Sequence, residues 1–243
     1  MAKLFDTLLR NTIFAKKNNL LSIDDPYRIL ERLLKRHKIT GIIDAGASNG
    51  RISRRLLKIF PEAYVYAFEP NPLYEKTLNQ FAREDKRFFP YYCALSDHKG
   101  LEDFCITVSP GNTSFFKPGK RLKEIDPGGA SLKNIKKVTV IPLDEWLKEN
   151  GNHSVQLIKL DIQGAELLAL RGAQNVLKNS VLAIYTEILF NPLYDGGALY
   201  SDIDLYLRNS GFVLYDIFKP KYNSSGLLMW GNAIFVNSNK FGF

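Results

Sequence analysis

Cysteine is nearly absent from this chain of 243 residues: Cys93 and Cys105 are the only two, and they do not form a Cys-x-x-Cys pair. That excludes a disulfide scaffold, gives no sign of a zinc site, and fits a reducing, cytoplasmic setting. Histidine is scarce too, with His37, His98 and His153 alone. No apolar run approaches the roughly eighteen residues that a membrane-spanning helix needs. The N-terminus lacks the continuous apolar core and cleavage site of a signal peptide. No internal repeat is seen, although "NPLY" occurs at 71–74 and again at 191–194. Acidic residues are in deficit: 25 Asp and Glu against 33 Lys and Arg leave a net charge of +8. Such a surface favours acidic partners, whether phosphate, anionic lipid or nucleic acid.

What is present is an ordinary globular composition, 45% hydrophobic and 24% charged, which excludes disorder of the whole chain. The length suits one large α/β domain. Leu4, Phe5, Leu8, Leu9 and Ile13 recur at helical spacing with Arg10, Lys16 and Lys17 nearby. They predict a helix that packs on the domain or, as a basic amphipathic element, rests on a membrane surface. "PYRILERLLKRH" predicts a second helix, capped by Asp24 or Asp25 with Pro26 in its first turn. These form a helical extension over 1–39, ahead of a domain over 40–243.

In that domain strands and helices alternate. "TGIIDAG", "AYVYAFEP", "RFFPYYCALSD", "SVQLIKLDI" and "VLAIYTEIL" read as strands; "RISRRLLKIF", "LYEKTLNQFARE" and "GAELLALRGAQNVLKN" read as helices between them. The alternation predicts an α/β fold with a parallel sheet and helices on both faces. "FVLYDIFK" and "MWGNAIFVN" follow as an antiparallel pair. The rhythm fails in a Gly, Pro, Ser and Lys-rich insert over about 109–137, which reads as a lid or binding loop. From Lys117 to Lys137 it carries seven basic residues against Glu124 and Asp126.

The stretch "IIDAGASNGRIS" carries the first chemistry. A glycine turn between strand and helix brings backbone N–H groups close to a ligand. A dinucleotide fingerprint needs a glycine where Ser48 stands, and a pyrophosphate would be crowded there. The pattern of Asp44, Gly46, Ala47, Ser48, Asn49 and Gly50 suits a nucleoside without phosphate, and S-adenosylmethionine has that shape. Glu69 ends the next strand nineteen residues after Gly50, followed by Pro70 and Asn71. Its carboxylate is placed to accept from both ribose hydroxyls. Leu95, Ser96 and Asp97, after the third strand, are candidates for the adenine. Asp44, Glu69, Asp97, Asp161 and Glu187 are thereby expected around one crevice at the carboxyl ends of the strands.

The blocks "IIDAGASNGRIS", "AFEPNP", "ALSD", "PLDEWL" and "IKLDIQGAELLALRGA", in this order, make the chain resemble the FkbM-type S-adenosylmethionine-dependent methyltransferases over about 40–236. The resemblance implies a class I methyltransferase, Rossmann-like fold: a seven-stranded, mostly parallel sheet with an antiparallel last strand. It also implies methylation of a hydroxyl, often on a sugar or a polyketide-type product.

Methyl transfer to an alcohol needs in-line positioning and a group that takes the hydroxyl proton. Asp161 is the first candidate, with Glu166 and Glu187 beside it; Asp161 is also a candidate cofactor contact. Alternatively Asp161 caps the following helix and Glu166 satisfies buried backbone, or Asp161 and Glu187 hold a divalent metal. Lys159 is expected to pair with a carboxylate. Tyr194 and Tyr200 are candidates to stack on a sugar, while His98 reads as an exposed loop residue. Lys120, Arg121, Lys136 and Lys137 suggest an anionic, phosphate-linked acceptor, and the insert is a second candidate for membrane contact. The rivals are a nucleic-acid methyltransferase, a non-catalytic binding protein on the same fold, and a nicotinamide oxidoreductase. Leu73 and Leu193 replace the second proline that a base-gripping Asn-Pro-Pro-aromatic turn requires.

Overall fold

The computed structural model describes residues 25–242, so the helix expected over 4–13 and its membrane contact lie outside the described residues. Helix α1 (Pro26–Leu34) begins as its sequence dictates: the Asp25 carboxylate accepts the Tyr27 N–H at 3.2 Å, and Pro26 occupies the first turn. There follow β1 (Gly41–Ala45), α2 (Arg51–Ile59), β2 (Tyr64–Phe68), α3 (Glu75–Glu84), β3 (Phe88–Tyr91), β4 (Ala94–Leu95), β5 (Gly100–Thr107) and α4 (Lys120–Ile125). Then come β6 (Leu132–Ile141), α5 (Leu143–Glu149), β7 (Leu157–Leu160), α6 (Glu166–Arg171), α7 (Gln174–Asn179) and β8 (Ala183–Leu189). The described chain ends with α8 (Tyr200–Asn209), β9 (Phe212–Tyr222), β10 (Leu228–Asn237) and α9 (Ser238–Phe241). Among the described residues no helix is long and apolar enough to cross a membrane.

Seven strands form the main sheet in the order β3-β2-β1-β7-β8-β10-β9. Only β10, the last strand in the chain, runs antiparallel, against both β8 and β9. Strands buried on both faces need no polar alternation, and β1 is buried at every residue. Successive side chains still go to opposite faces: Ile42 packs with Leu30, Leu56 and Leu78, and Ile43 with Trp146, Leu170 and Leu207. Each such fully buried aliphatic side chain contributes about 1.5–3 kcal/mol.

Three expectations are corrected. "RFFPYYCALSD" is not one strand: β3 pairs with β2 in the main sheet, whereas β4 pairs with β6 in a separate three-stranded sheet, β4-β6-β5. Pro90, which has no N–H to give, sits in β3 at the sheet edge, where it leaves no partner unpaired. The stretch over 109–137 is not a structureless loop. It holds a single 3-10 turn (Pro110–Asn112), α4 and the first half of β6, which pairs antiparallel with β5. Finally, the helix over 164–179 is divided at Gly172 and Ala173 into α6 and α7, and a Cβ at Gly172 would stand 2.0 Å from the Ser96 carbonyl oxygen. Close passage of the chain over the end of β4 therefore demands glycine there.

Candidate functional site

A cavity of about 280 Å³ opens where β1, β2 and β7 end. One wall is the turn Ala45–Asn49 with Glu69, Pro70, Asn71 and Leu95; another is Lys159, Asp161, Ile162 and Gln163. Phe104, Pro110, Gly111, Thr113 and Phe115 close it from the side of the three-stranded sheet. The Asn191 side chain is spent on structure: it donates to the Leu228 carbonyl at 2.7 Å and accepts from Arg121. The Asn71 side-chain oxygen accepts the Leu73 N–H at 3.1 Å.

The turn owes its shape to its backbone. Gly46 has φ +73°, and a Cβ on it would lie 1.9 Å from the Asp161 carbonyl oxygen. Ser48 also takes a positive φ, +51°, unusual for a residue with a side chain. Beneath the turn the buried Lys159 ammonium donates to the carbonyls of Gly46 at 2.8 Å and Ala45 at 3.2 Å. It also lies 3.0 Å from Asp44 Oδ1, an ionic contact not aligned as a hydrogen bond. Burial pulls the Lys159 pKa down, but the charges of Asp44, Asp161 and Glu69 and the Asp44 contact outweigh it and hold the ammonium above the usual lysine range. The second Asp44 oxygen accepts from Ser53 Oγ at 2.6 Å. Asp44 is therefore a buried brace and not a wall of the cavity.

Glu69 is buried yet reaches the cavity. One carboxylate oxygen accepts the Ser48 N–H at 2.8 Å and the other the Asn71 N–H at 2.9 Å. Each oxygen keeps a second lone pair for a ligand hydroxyl. Burial raises the Glu69 pKa, and the two N–H bonds and Lys159 pull it back only in part. Among candidate adenine contacts, Leu95 lines the cavity; Ser96 and Asp97 do not, and Asp97 is bound to the exposed His98 at 2.9 Å. Gly50 likewise turns away from the cavity and packs against Phe81.

At the end of β7 the carboxylates separate by task. Asp161 is on the cavity wall, its side chain 46% exposed. Glu166 is buried and accepts the N–H groups of Ile162 and Gly164, both at 2.9 Å, so it shapes the turn and does not face the cavity. Glu187 is not among the residues that line the cavity and is joined to it by the Gln163 amide. The Gln163 amide donates to Asp161 at 2.8 Å and to Glu187 at 2.9 Å, occupying the place where a shared metal would bind. Among the described residues no group of three or more His, Cys, Asp or Glu is placed to hold one. Tyr194 is buried, its hydroxyl donating to Gln163 Oε1 at 2.6 Å, so its ring is not presented to a sugar, and Tyr200, half-buried, packs against Phe190 and does not line the cavity. Gln163, Phe104 of β5 and the insert residues Thr113 and Phe115 escaped the sequence reading. The one sign of Gln163 is its place between Asp161 and Gly164 at a strand end.

Burial raises three carboxyls in the folded chain: Glu69, Glu166 to about 7, and Glu187 well above the ordinary range, the last also through the nearby charges of Asp161 and Glu166. The folded state thus binds more protons than the unfolded one above the ordinary value of 4.5. Their contribution to stability is complete below that value and is lost as pH rises through the folded pKa values. Glu84, Asp85 and Asp126 shift downwards but lie near the surface, where solvent screens them. The urea midpoint is expected to fall between about pH 5 and about pH 7.5; a rise over that interval contradicts this balance.

A model of the methyltransferase FkbM domain matches residues 44–214. The 2-O-methyltransferase NoeI of Sinorhizobium fredii is 30% identical over 166 residues, which cover 64% of this chain and 65% of NoeI, so the chain spans slightly under two thirds of that relative. Methyltransferase sdnD of Sordaria araneosa is 25% identical over 193 residues, 70% of this chain and 73% of its own. The crystal structure of Methyltransferase FkbM from Methylobacillus flagellatus aligns with a TM-score of 0.50 at 16% identity, over 82% of this chain and 44% of that one, a likeness of fold.

Proposed function

The chain belongs to the FkbM methyltransferase family, and on that premise we propose that it transfers the methyl group of S-adenosylmethionine to a hydroxyl of a sugar, a glycan precursor or a related natural product. The observation that carries the reading is a single cavity lined on one wall by Glu69, beside the glycine turn, and on another by the exposed carboxylate of Asp161. The residues fit the donor. Glu69 has lone pairs for two ribose hydroxyls, and Phe68, Leu95 and Phe104 offer apolar surface for a base. When bound, S-adenosylmethionine supplies an electrophilic methyl on a positively charged sulfur.

Asp161 takes the proton of the acceptor hydroxyl as the O–C bond forms and the S–C bond breaks, and S-adenosylhomocysteine leaves uncharged at sulfur. Methylation at oxygen accords with the similarity to NoeI, a 2-O-methyltransferase. The acceptor further carries an anionic, phosphate-like group. Lys136 supports this: it lies directly opposite the cavity-lining Phe104 on the paired strand and makes no ion pair among the described residues. Arg121 and Lys137 are engaged by Asn191 and Asp103, and Lys120 reaches Glu124 only at 3.9 Å.

The test is release of S-adenosylhomocysteine over a panel of free and phosphate-linked saccharides. Asp161→Asn should lower the rate about 10²–10⁴-fold, the usual contribution of a general base, and change S-adenosylhomocysteine affinity only a few-fold. Full activity in Asp161→Asn, or a folded parent that does not bind S-adenosylhomocysteine, defeats the proposal.

A further inference from the structure

Gln163 is the most heavily tied side chain at the cavity. Its amide nitrogen donates to Asp161 Oδ1 at 2.8 Å and to Glu187 Oε2 at 2.9 Å; its amide oxygen accepts from the Tyr194 hydroxyl at 2.6 Å. Its main-chain carbonyl accepts from Ser114 Oγ at 2.7 Å, which fastens the insert to the same turn. In this orientation the NH₂ faces carboxyl oxygens, which accept, and the amide oxygen faces the hydroxyl, which donates. The backbone is equally particular. Gln163 has φ +58°, a left-handed conformation that costs a residue with a side chain and persists where its surroundings over-determine it.

We propose that Gln163 is a positioning residue for methyl transfer: by bridging Asp161 to Glu187 it fixes one oxygen of Asp161 and leaves the other to receive the acceptor proton. The inference rests on the assignment of Asp161 as proton acceptor. Asp161 Oδ1 is held by the amide, while Oδ2 has no hydrogen bond among the described residues and is 4.0 Å from the Lys159 ammonium. A carboxylate half exposed at a cavity would otherwise rotate between orientations, and most would point its basic lone pairs away from an in-line hydroxyl. Glu187, which does not line the cavity, serves as the second anchor of the amide, and Tyr194 fixes the amide's far end.

Two substitutions separate reach from charge. Gln163→Asn tolerates the left-handed backbone but is one methylene too short to bridge both carboxylates. Gln163→Glu keeps the reach but replaces the donor with a third carboxylate. Tyr194→Phe, which leaves the turn's backbone untouched, serves if either fails to fold. Each variant is first titrated with S-adenosylhomocysteine, and affinity within about threefold of the parent is expected because no contact of the glycine turn is altered.

With an acceptor from the saccharide panel, kcat should fall at least thirtyfold in Gln163→Asn and further in Gln163→Glu, while KM for S-adenosylmethionine holds. The acidic limb of the pH–rate profile should move to higher pH, since the ionised base has lost a hydrogen-bond donor. An amide NMR readout needs no acceptor. The Gln163 side-chain NH₂ signals should be shifted from those of free glutamine, exchange slowly, and move in both Asp161→Asn and Glu187→Gln. Free-glutamine signals, or an unchanged kcat and pH profile, would overturn the positioning role. Failure of the parent to bind S-adenosylhomocysteine would instead strike the methyltransferase reading, and full activity in Asp161→Asn the assignment of the base.

Discussion

Glu69→Ala should weaken S-adenosylhomocysteine binding at least a hundredfold in calorimetric titration, with the fold retained. Two losses combine. The variant removes the acceptor of the Ser48 and Asn71 N–H groups, at 2.8 and 2.9 Å, and both donors are then left facing a buried void. It also removes the lone pairs placed for the ribose. Hydrogen bonds to a charged partner contribute about 1.5–3 kcal/mol each, and a hundredfold change corresponds to about 2.8 kcal/mol, so even one ribose contact accounts for it. Glu69→Gln sharpens the test. One of its two polar ends must present an NH₂ to a backbone N–H, so affinity should fall nearly as far, although size is preserved. Unchanged affinity in Glu69→Ala would mean that the carboxylate serves the turn and not the ligand.

Lys159→Met should be the most destabilising of the substitutions considered, by about 3–5 kcal/mol, the usual cost of stranding one member of a buried ion pair. Asp44 is fully buried and would keep only Ser53 as a partner. The carbonyls of Ala45 and Gly46 would lose their shared donor as well. Combining Lys159→Met with Asp44→Asn should recover part of the loss, because no charge is then left unpaired; urea denaturation of the single and double variants measures the coupling. Additive losses would show that the pair is not energetically linked. Stability recovered in the double variant need not restore ligand binding, since the turn still lacks the ammonium that gathers its carbonyls.

The main sheet was legible because its strands obey strong local rules. "TGIIDAG" and "VLAIYTEIL" are continuous apolar runs of strand length, and Asp25 and Pro26 mark a helix start by their own chemistry. The second sheet was legible only in fragments: "LEDFCITV" and the start of "KVTVIPLDEWLKEN" read as strands, but neither their pairing nor the full length of β6 could be read. Val138 and Val140 are buried, but Lys133, Lys136 and Lys137 in the same strand are exposed, and no apolar alternation announces a strand that projects beyond the core. Nor can an apolar pair such as Ala94 and Leu95 declare which sheet it will join. At the site, Asp161 and Glu69 could be read because a strand end next to a glycine turn has one geometry. Gln163 could not, since its role depends on a left-handed backbone and on partners 24 and 31 residues away. Glu166 and Asp44 looked like ligand contacts by position, yet each was turned inward by groups the sequence leaves invisible: buried N–H donors for one, a lysine on the neighbouring strand for the other.

The contact between Gly46 and Asp161 carries one more consequence. With 1.9 Å between an imagined Cβ and the Asp161 carbonyl oxygen, backbone meets backbone with nothing interposed. The glycine turn and the strand end that carries Asp161 are consequently set against each other by main chain alone, as two machined parts share a datum face. Side chains around the cavity can drift through evolution, and the insert can be rebuilt for another acceptor, without altering the offset between these two working parts.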